Sequence, residues 1–310
     1  MKKKLILAAI VIAAVAASVG GKALVSRNAS DGEAPSASAS STPNYNRIVS
    51  LAPNITEVLF ELGLGNKVVG VTTYCLYPPA ARDLPEVGGY STPNYEAIAA
   101  LNADLVVMGP EHEEAKQKLA TLGIETLTVR YSSVAEILDS IRTIGQSTGV
   151  QQKAKGILAD IREKIEGIRE RTEDLPRPRT MISIGRGMGS GTLKEVYVAG
   201  PDTFYDDLVD IAGGVNAYQG GAAQYPSVSA EGILRWNPQV IIDVVPELKD
   251  KGWTKDRVLK EWRDVAAVDA VKNGQVSILD EEYVAIPGPR FVLTLELIAR
   301  AIHPEVDWGS

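Results

Sequence analysis

The fold is decided by a stretch that occurs twice: residues 90–107 read YSTPNYEAIAALNADLVV, and residues 225–242 read YPSVSAEGILRWNPQVII. Aligned without a gap, the two copies share a leading tyrosine, a glutamate, an isoleucine and an asparagine, followed by three apolar positions. Each copy predicts a loop, a short helix capped by Asn94 or Ser229, a turn at the asparagine and then a buried strand. A repeat of this kind predicts two lobes of similar architecture.

Short runs rich in Val and Ile surround both copies and alternate with helical patterns. Near-continuous apolar strands separated by helices predict parallel sheets that are covered on both faces, so the fold class is α/β. The predicted strands are residues 47–51, 67–71, 104–108 and 124–129 in the first half, and 180–184, 193–198, 240–244 and 276–279 in the second.

Residues 150–174 form a charged segment that contains no proline. Its apolar residues recur at three- and four-residue spacings, which predicts one long amphipathic helix. They are Ile157, Leu158, Ile161, Ile165 and Ile168. Because the strand–helix alternation restarts behind it, we interpret this helix as a connector between a first lobe at 45–149 and a second at 175–310. The alternative is an ordinary crossover helix on one sheet.

The N-terminus has the features of an export signal. Residues 1–25 begin with three lysines, and an apolar run extends from Leu5 to Val19. This run is shorter than the ~20 residues that a membrane-spanning helix needs, which favours cleavage, and an uncleaved anchor is the alternative. Residues 26–44 are rich in Ser, Ala and Pro, which predicts a flexible tether. A lipid anchor would need a cysteine at the end of the signal, and the one cysteine of the chain is Cys75. We therefore expect an exported protein, periplasmic or extracytoplasmic, without a lipid anchor.

The net charge of the chain limits the class of partner that it can bind. The chain has 32 basic and 39 acidic residues, and the first 44 positions hold five of the basic and two of the acidic residues. The remainder therefore carries 27 basic and 37 acidic residues, a formal net charge of −10. Nucleic-acid binding needs clustered Lys and Arg, so an acidic body argues against it.

No catalytic or metal centre is predicted. His112 lies among glutamates at a predicted solvent-exposed helix start, and its spacing from His303 does not make a ligand pair. Cys75 has no histidine nearby in sequence, and a buried apolar role fits it. The glycine-rich run at 185–191 lacks the last glycine of a dinucleotide fingerprint, so we interpret it as a cleft loop with Arg186 as a ligand contact. We expect no enzymatic activity, no metal and no cofactor.

Four tyrosines favour ligand binding. Each stands beside Pro, Gly or loop-type residues and not within a periodic apolar run; they are Tyr74, Tyr90, Tyr225 and Tyr283. A tyrosine offers a flat apolar face and a polar tip, which suits large planar or macrocyclic ligands. Tyr90 and Tyr225 occupy equivalent loops at sheet edges, where open α/β sheets bind ligands. We expect a small molecule held between two lobes; the alternative is that these are rim or packing aromatics.

Glu96 and Glu231 are the shared glutamates of the repeat, and each lies in the first turn of a predicted helix. The helix dipole stabilises a carboxylate there by ~0.3 to 1 kcal/mol, which could explain both. The functional interpretation is that two equivalent carboxylates face arginines on a two-fold symmetric partner.

Several ordered motifs resemble the periplasmic substrate-binding proteins of ABC importers for cobalamin and iron chelates. They extend from Arg47 to Arg290: RIVSL with Thr56-Glu57, VGVTTY with Tyr77-Pro-Pro79, EAI and DLVV around Asn102, AGGVN at 212–216, Ser229-Ala-Glu231 with Asn237-Pro238, and Gly288-Pro-Arg290. The resemblance implies two Rossmann-like lobes with parallel sheets, bridged by one long α-helix. It also implies a carrier, expected to be a monomer, that delivers its ligand to a permease dimer with its ATPase.

The resemblance assigns roles to individual positions. The four tyrosines match cleft positions that are aromatic in cobalamin binders, and Glu96 and Glu231 match glutamates that dock onto permease arginines. A tryptophan that the family carries after the DLVV strand is replaced by Gly109. A ferric siderophore or haem is therefore an alternative ligand, with Arg130, Arg186 or Arg290 facing an anionic chelate. A sensor receptor or an exported enzyme on the same scaffold remains the alternative class.

Overall fold

The computed structural model describes residues 44–187, 193, 195–221 and 223–309. The predicted signal segment and nearly all of the predicted tether lie outside these residues. Within the described part, no helix is both long and apolar enough to cross a membrane.

The first sheet has four strands, all parallel. They are β1 Ile48–Ser50, β2 Val68–Val71, β3 Leu105–Met108 and β4 Glu125–Thr128, in the order β2-β1-β3-β4. All four predicted strands are confirmed to within two residues. The connecting helices are α1 Pro53–Glu61, α2 Tyr95–Ala100, α3 Glu113–Thr121 and α4 Val134–Ser147. The central strands β1 and β3 are fully buried, as the continuous apolar runs predicted.

The second sheet is mixed. Its strands are β5 Arg179–Arg186, β6 Val196–Val198, β7 Val215–Asn216, β8 Ser227–Val228, β9 Val240–Val244 and β10 Val276–Leu279. The order is β10-β9-β5-β6-β8, with β7 also on β5; β10, β9, β5 and β7 are parallel. The expectation of a parallel sheet holds for this part, while β6 and β8 run antiparallel. Only residues 187–195 separate β5 from β6, fewer than the dozen or so that a parallel crossover needs, so β6 returns antiparallel.

Helices cover the second sheet as well. They are α6 Phe204–Ile211, α7 Ala230–Trp236, α8 Lys255–Glu261, α9 Asp269–Lys272 and α10 Phe291–Ile302. The long predicted helix is α5 Gln151–Thr172, and its five predicted apolar residues are all buried. It packs against α4 of the first half and against α6 and α10 of the second. One amphipathic face therefore contacts both halves, which is how a connecting helix holds two lobes together.

The repeat is confirmed in three dimensions. Asn94 accepts a hydrogen bond from the backbone of Ala97 at the start of α2, and Ser229 caps α7 in the same way. Asn102 and Asn237 follow these helices with φ of 47° and 44°. Asparagine tolerates this left-handed conformation better than most residues do, so the chain can turn there into β3 and β9.

Candidate functional site

The carboxyl ends of the parallel strands carry the polar and aromatic residues. Glu57 follows β1, Tyr74 follows β2, Glu111 follows β3 and Tyr131 follows β4, while Tyr283 follows β10 in the second half. Parallel strands end at a common edge, and ligands of open α/β sheets bind outside that edge. Chain segments that are far apart in sequence are therefore brought together here.

A recess of about 300 Å³, its open mouth included, lies between residues of the two halves. Of the predicted ligand contacts, Tyr74 and Arg290 line the recess, and the ring of Tyr283 lies 5.5 Å from the Arg290 guanidinium. The lining residues are Pro53, Glu57, Tyr74, Leu76 and Tyr77 from the first half and Glu282, Ile286 and Arg290 from the second. The recess thus has aromatic and aliphatic walls with one cation and two carboxylates.

Arg290 organises this recess. Its Nε and Nη2 donate to the two carboxylate oxygens of Glu57 at 3.0 and 2.6 Å, and Nη1 donates to Glu282 at 3.3 Å. The guanidinium lies 3.6 Å from the ring centroid of Tyr77 and 5.5 Å from that of Tyr283. This two-pronged pair joins the halves and holds the cation between aromatic faces.

Burial governs the electrostatics of the pair. The side chain of Glu57 is 4% exposed and that of Arg290 is 15% exposed. Burial raises the pKa of Glu57, and the hydrogen bonds from Arg290 oppose that rise. Removal of Arg290 would leave the Glu57 carboxylate unpaired in a poorly hydrated place, whereas removal of Glu57 would leave Arg290 with its contact to Glu282.

Tyr90 lies in a second cluster, at the ends of β3 and β4. Its hydroxyl donates to the Glu111 carboxylate, as does the hydroxyl of Tyr131, and the two phenol oxygens are 3.1 Å apart. His112 Nε2 is 2.5 Å from the carbonyl oxygen of Tyr90. Burial raises the pKa of both Tyr90 and Tyr131, and the charge of Glu111 adds to it, so both phenols are protonated donors at neutral pH.

The prediction that His112 is solvent-exposed was wrong, since the residue is only 5% exposed. The glutamates that follow it in sequence do face solvent, but a 3-10 turn at Pro110–His112 directs His112 inward before α3 begins. Its ring contacts Tyr90 edge to face at 5.4 Å.

The same cluster explains why position 109 is a glycine. A β-carbon at this position would lie 2.3 Å from Glu111 Oε2 and from Tyr131 Oη. Tyr131 and Glu111 therefore occupy the space beside this glycine. Sequence reasoning missed Glu111 and Tyr131 as site residues. Each follows the end of its strand, β3 or β4, by three positions, and that placement was the available signal.

The remaining site predictions have different surroundings. Tyr225 is half-buried and packs on the main core, and burial raises the pKa of its phenol. The Arg186 side chain is 2% exposed and pairs with Asp243 and Glu261 beside Trp262, so its guanidinium has a structural role here. A ligand contact by either residue stays a prediction. Arg130 is 69% exposed and pairs with Glu136 at 2.6 Å.

The predicted cleft loop at 185–191 is only partly described. Its residues 188–191 lie outside the described residues. Cys75 is buried, in agreement with its predicted apolar role, and burial raises the pKa of its thiol. Among the described residues, no group of three or more His, Cys, Asp and Glu side chains is arranged to hold a metal ion.

Glu96 and Glu231 are both exposed in the first turns of α2 and α7. Each precedes the left-handed asparagine of its copy by six positions, so the two carboxylates occupy equivalent places in the two lobes.

Comparison with known proteins identifies the family. A model of the periplasmic binding protein family matches residues 48–283, and the chain belongs to this family. The vitamin B12-binding protein of Vibrio vulnificus (strain CMCP6) is 29% identical over 81% of this chain and 88% of its own length. The structure of the periplasmic vitamin B12-binding protein BtuF of Vibrio cholerae has a TM-score of 0.69 at 26% identity, covering 83% of this chain and 96% of that one.

A second solved structure is equally similar. The periplasmic heme-binding protein RhuT from Roseiflexus sp. RS-1, in its apo form, has a TM-score of 0.71 at 26% identity and covers 84% of this chain and 98% of that one. The two-lobed fold and the family of substrate-binding proteins of transporters are therefore shown, while these relatives carry different ligands.

Proposed function

We propose that this protein captures a cobalamin-type corrinoid in the cleft between its lobes and delivers it to the permease of an ABC importer. The observation that carries the proposal is the recess that both halves line, with tyrosine faces around the Arg290 cation. Aromatic faces suit a large, flat macrocycle, and the arginine suits its amide carbonyls and phosphate. The vitamin B12-binding relatives support the corrinoid in particular.

A ferric siderophore or haem is the second candidate. Its support is the cation at the centre of the recess, which suits the anionic groups of such chelates, together with the heme-binding relative. In either case the lobes hold the ligand without making or breaking a bond, so the protein acts as a carrier and not as an enzyme. Tyr90 and Tyr225 join the proposed contacts on the resemblance alone.

The carrier would act outside the cytoplasm, exported through residues 1–25, with lobes at 45–149 and 175–310 joined by the helix at 150–174. Glu96 and Glu231 would dock the two lobes onto the permease dimer, each on one arginine cluster. A carrier that presents both lobes to one permease would work as a monomer.

Calorimetric titration of the purified protein with cobalamin, a ferric siderophore and haem tests the ligand. We expect cobalamin to bind at micromolar Kd or tighter, about −8 kcal/mol or better. Tyr74→Ala should weaken binding about tenfold, because an aromatic contact is removed from the recess wall. The matched control Tyr95→Phe, a substitution outside the recess, should bind as the natural protein does. If only an iron chelate binds, the ligand is that chelate and not cobalamin. If none of the three binds, the proposal is refuted.

A further inference from the structure

We propose that Glu57 and Glu282 make the recess selective by charge. It accepts a macrocycle whose edge substituents are uncharged hydrogen-bond acceptors, such as carboxamides, and it rejects a macrocycle whose edge carries carboxylates. The inference rests on the proposed function, because it concerns the ligand of the same recess.

The recess is acidic in spite of its arginine. Among the described residues that line it, Glu57 and Glu282 each carry one negative charge, and Arg290 carries one positive charge. Both carboxylate oxygens of Glu57 accept hydrogen bonds from the guanidinium, so neither oxygen holds a proton and the group is ionised. A ligand anion that enters therefore meets more negative than positive charge.

The hydrogen-bonding capacity of Arg290 is largely used within the protein. Three of its five N–H groups donate to carboxylates: those on Nε and Nη2 to Glu57 at 3.0 and 2.6 Å, and one on Nη1 to Glu282 at 3.3 Å. The guanidinium also lies over the ring of Tyr77, 3.6 Å from its centroid. Among the described contacts, one N–H remains on each terminal nitrogen. These can donate to carbonyl oxygens of a ligand, but a ligand carboxylate would have to displace Glu57 to gain a two-pronged pair.

Acidic residues also surround the lining. Burial raises the pKa of Glu57, and the charges of Glu282 and Glu61 add to that rise. Burial likewise raises the pKa of the Tyr283 phenol, and the charge of Glu281 adds to it. A ligand carboxylate at this place would be exposed to the same negative charges, which disfavour every anionic group near the recess.

Size indicates which part of a macrocycle reaches the arginine. With its open mouth included, the recess has a volume of about 300 Å³, at the lower end of the roughly 300 to 1,000 Å³ of ligand pockets. A ligand of tetrapyrrole size would therefore place one edge in the recess, and the substituents of that edge would face Arg290. A corrin ring carries carboxamides on its edge and haem carries propionates, so the charge of the edge separates the two candidate ligands.

The test compares ligands that differ only in the charge of the edge. Cyanocobalamin is paired with its monocarboxylic acids, in each of which one side-chain amide is hydrolysed, and haem is paired with its dimethyl ester. Each compound is titrated into the purified protein by calorimetry. We expect the haem ester to bind at least tenfold more tightly than haem, and cyanocobalamin at least tenfold more tightly than the acid whose carboxylate faces Arg290, because like charges repel.

Substitutions assign this difference to the carboxylates. Glu282→Gln should shrink the difference within each pair to about threefold or less, whereas Glu282→Asp, which keeps the charge, should retain it. Glu163→Gln is the matched control, because it removes one negative charge from the exposed side of α5 and should retain the full difference. Urea unfolding checks that each variant is folded.

The outcomes separate this inference from the proposed function. Equal affinity for cyanocobalamin and all of its acids, tighter binding of haem than of its ester, or an undiminished difference in Glu282→Gln would overturn the charge selection while a macrocycle still binds. Binding of the haem ester without cyanocobalamin would refute the corrinoid and support the selection. If no compound binds, the proposed function is refuted and the selection with it.

Discussion

Arg290 and Glu57 are 233 positions apart in the chain, yet they form the pair that joins the two halves at the recess. Arg290→Ala would leave the Glu57 carboxylate buried and unpaired. We expect a loss of about 3–5 kcal/mol in the free energy of unfolding at neutral pH, measured by urea denaturation. The matched control is Arg130→Ala, which removes a largely exposed ion pair and should cost about 0–1 kcal/mol.

The pH dependence of this variant follows from the pKa of Glu57, which burial raises above its ordinary value of 4.5. Without Arg290 the folded-state pKa would rise further. The folded state then binds a proton more readily than the unfolded state, so the loss should be greatest at neutral pH and shrink near pH 4. A loss of under 1 kcal/mol, or one that does not change with pH, would contradict a charged inter-lobe pair.

Helix α5 is the element on which the arrangement of both halves depends. Ile161 is 5% exposed on the face that packs against its neighbours. Ile161→Ala should lower the free energy of unfolding by about 2–5 kcal/mol, because it removes buried methyl groups and leaves a cavity. Glu163→Ala, on the exposed side of the same helix, is the control and should change stability by no more than about 0.5 kcal/mol. Equal effects of the two substitutions would show that the face does not pack as described.

At the scale of the whole molecule, α2 and α7 occupy equivalent places in the two lobes and carry Glu96 and Glu231. Glu96→Ala combined with Glu231→Ala should leave ligand affinity unchanged, because both carboxylates are exposed and outside the recess. Uptake by cells that depend on this carrier should be abolished, since the two proposed charge pairs with the permease would be lost. Affinity is measured by calorimetry and uptake with labelled ligand. Glu163→Ala serves again as the exposed-carboxylate control, and normal uptake by the double variant would exclude the docking role.

Local periodicity was enough to predict the longer strands and the long helix α5, while the two-residue strands β7 and β8 were not predicted. The strands of the first sheet, the buried face of α5 and the two asparagine turns all depend on neighbours within a few positions. For such features the pattern of apolar residues and the preference of asparagine for left-handed backbone are sufficient physical causes. The internal repeat then extended the prediction to two lobes, because the same key residues at the same spacing favour the same cap, turn and strand in both copies.

Only the tertiary structure decided which distant residues meet. The pairing of Glu57 with Arg290, the inward turn of His112, the burial of Arg186 among Asp243 and Glu261, and the antiparallel course of β6 and β8 are absent from any local pattern. Each of these features depends on the path that a loop takes after its strand. A charged residue is also predicted to face solvent unless the buried partner that neutralises it is known. The sequence by itself therefore determined the elements and the family, while the contacts between loops decided the geometry of the recess and of the tyrosine cluster.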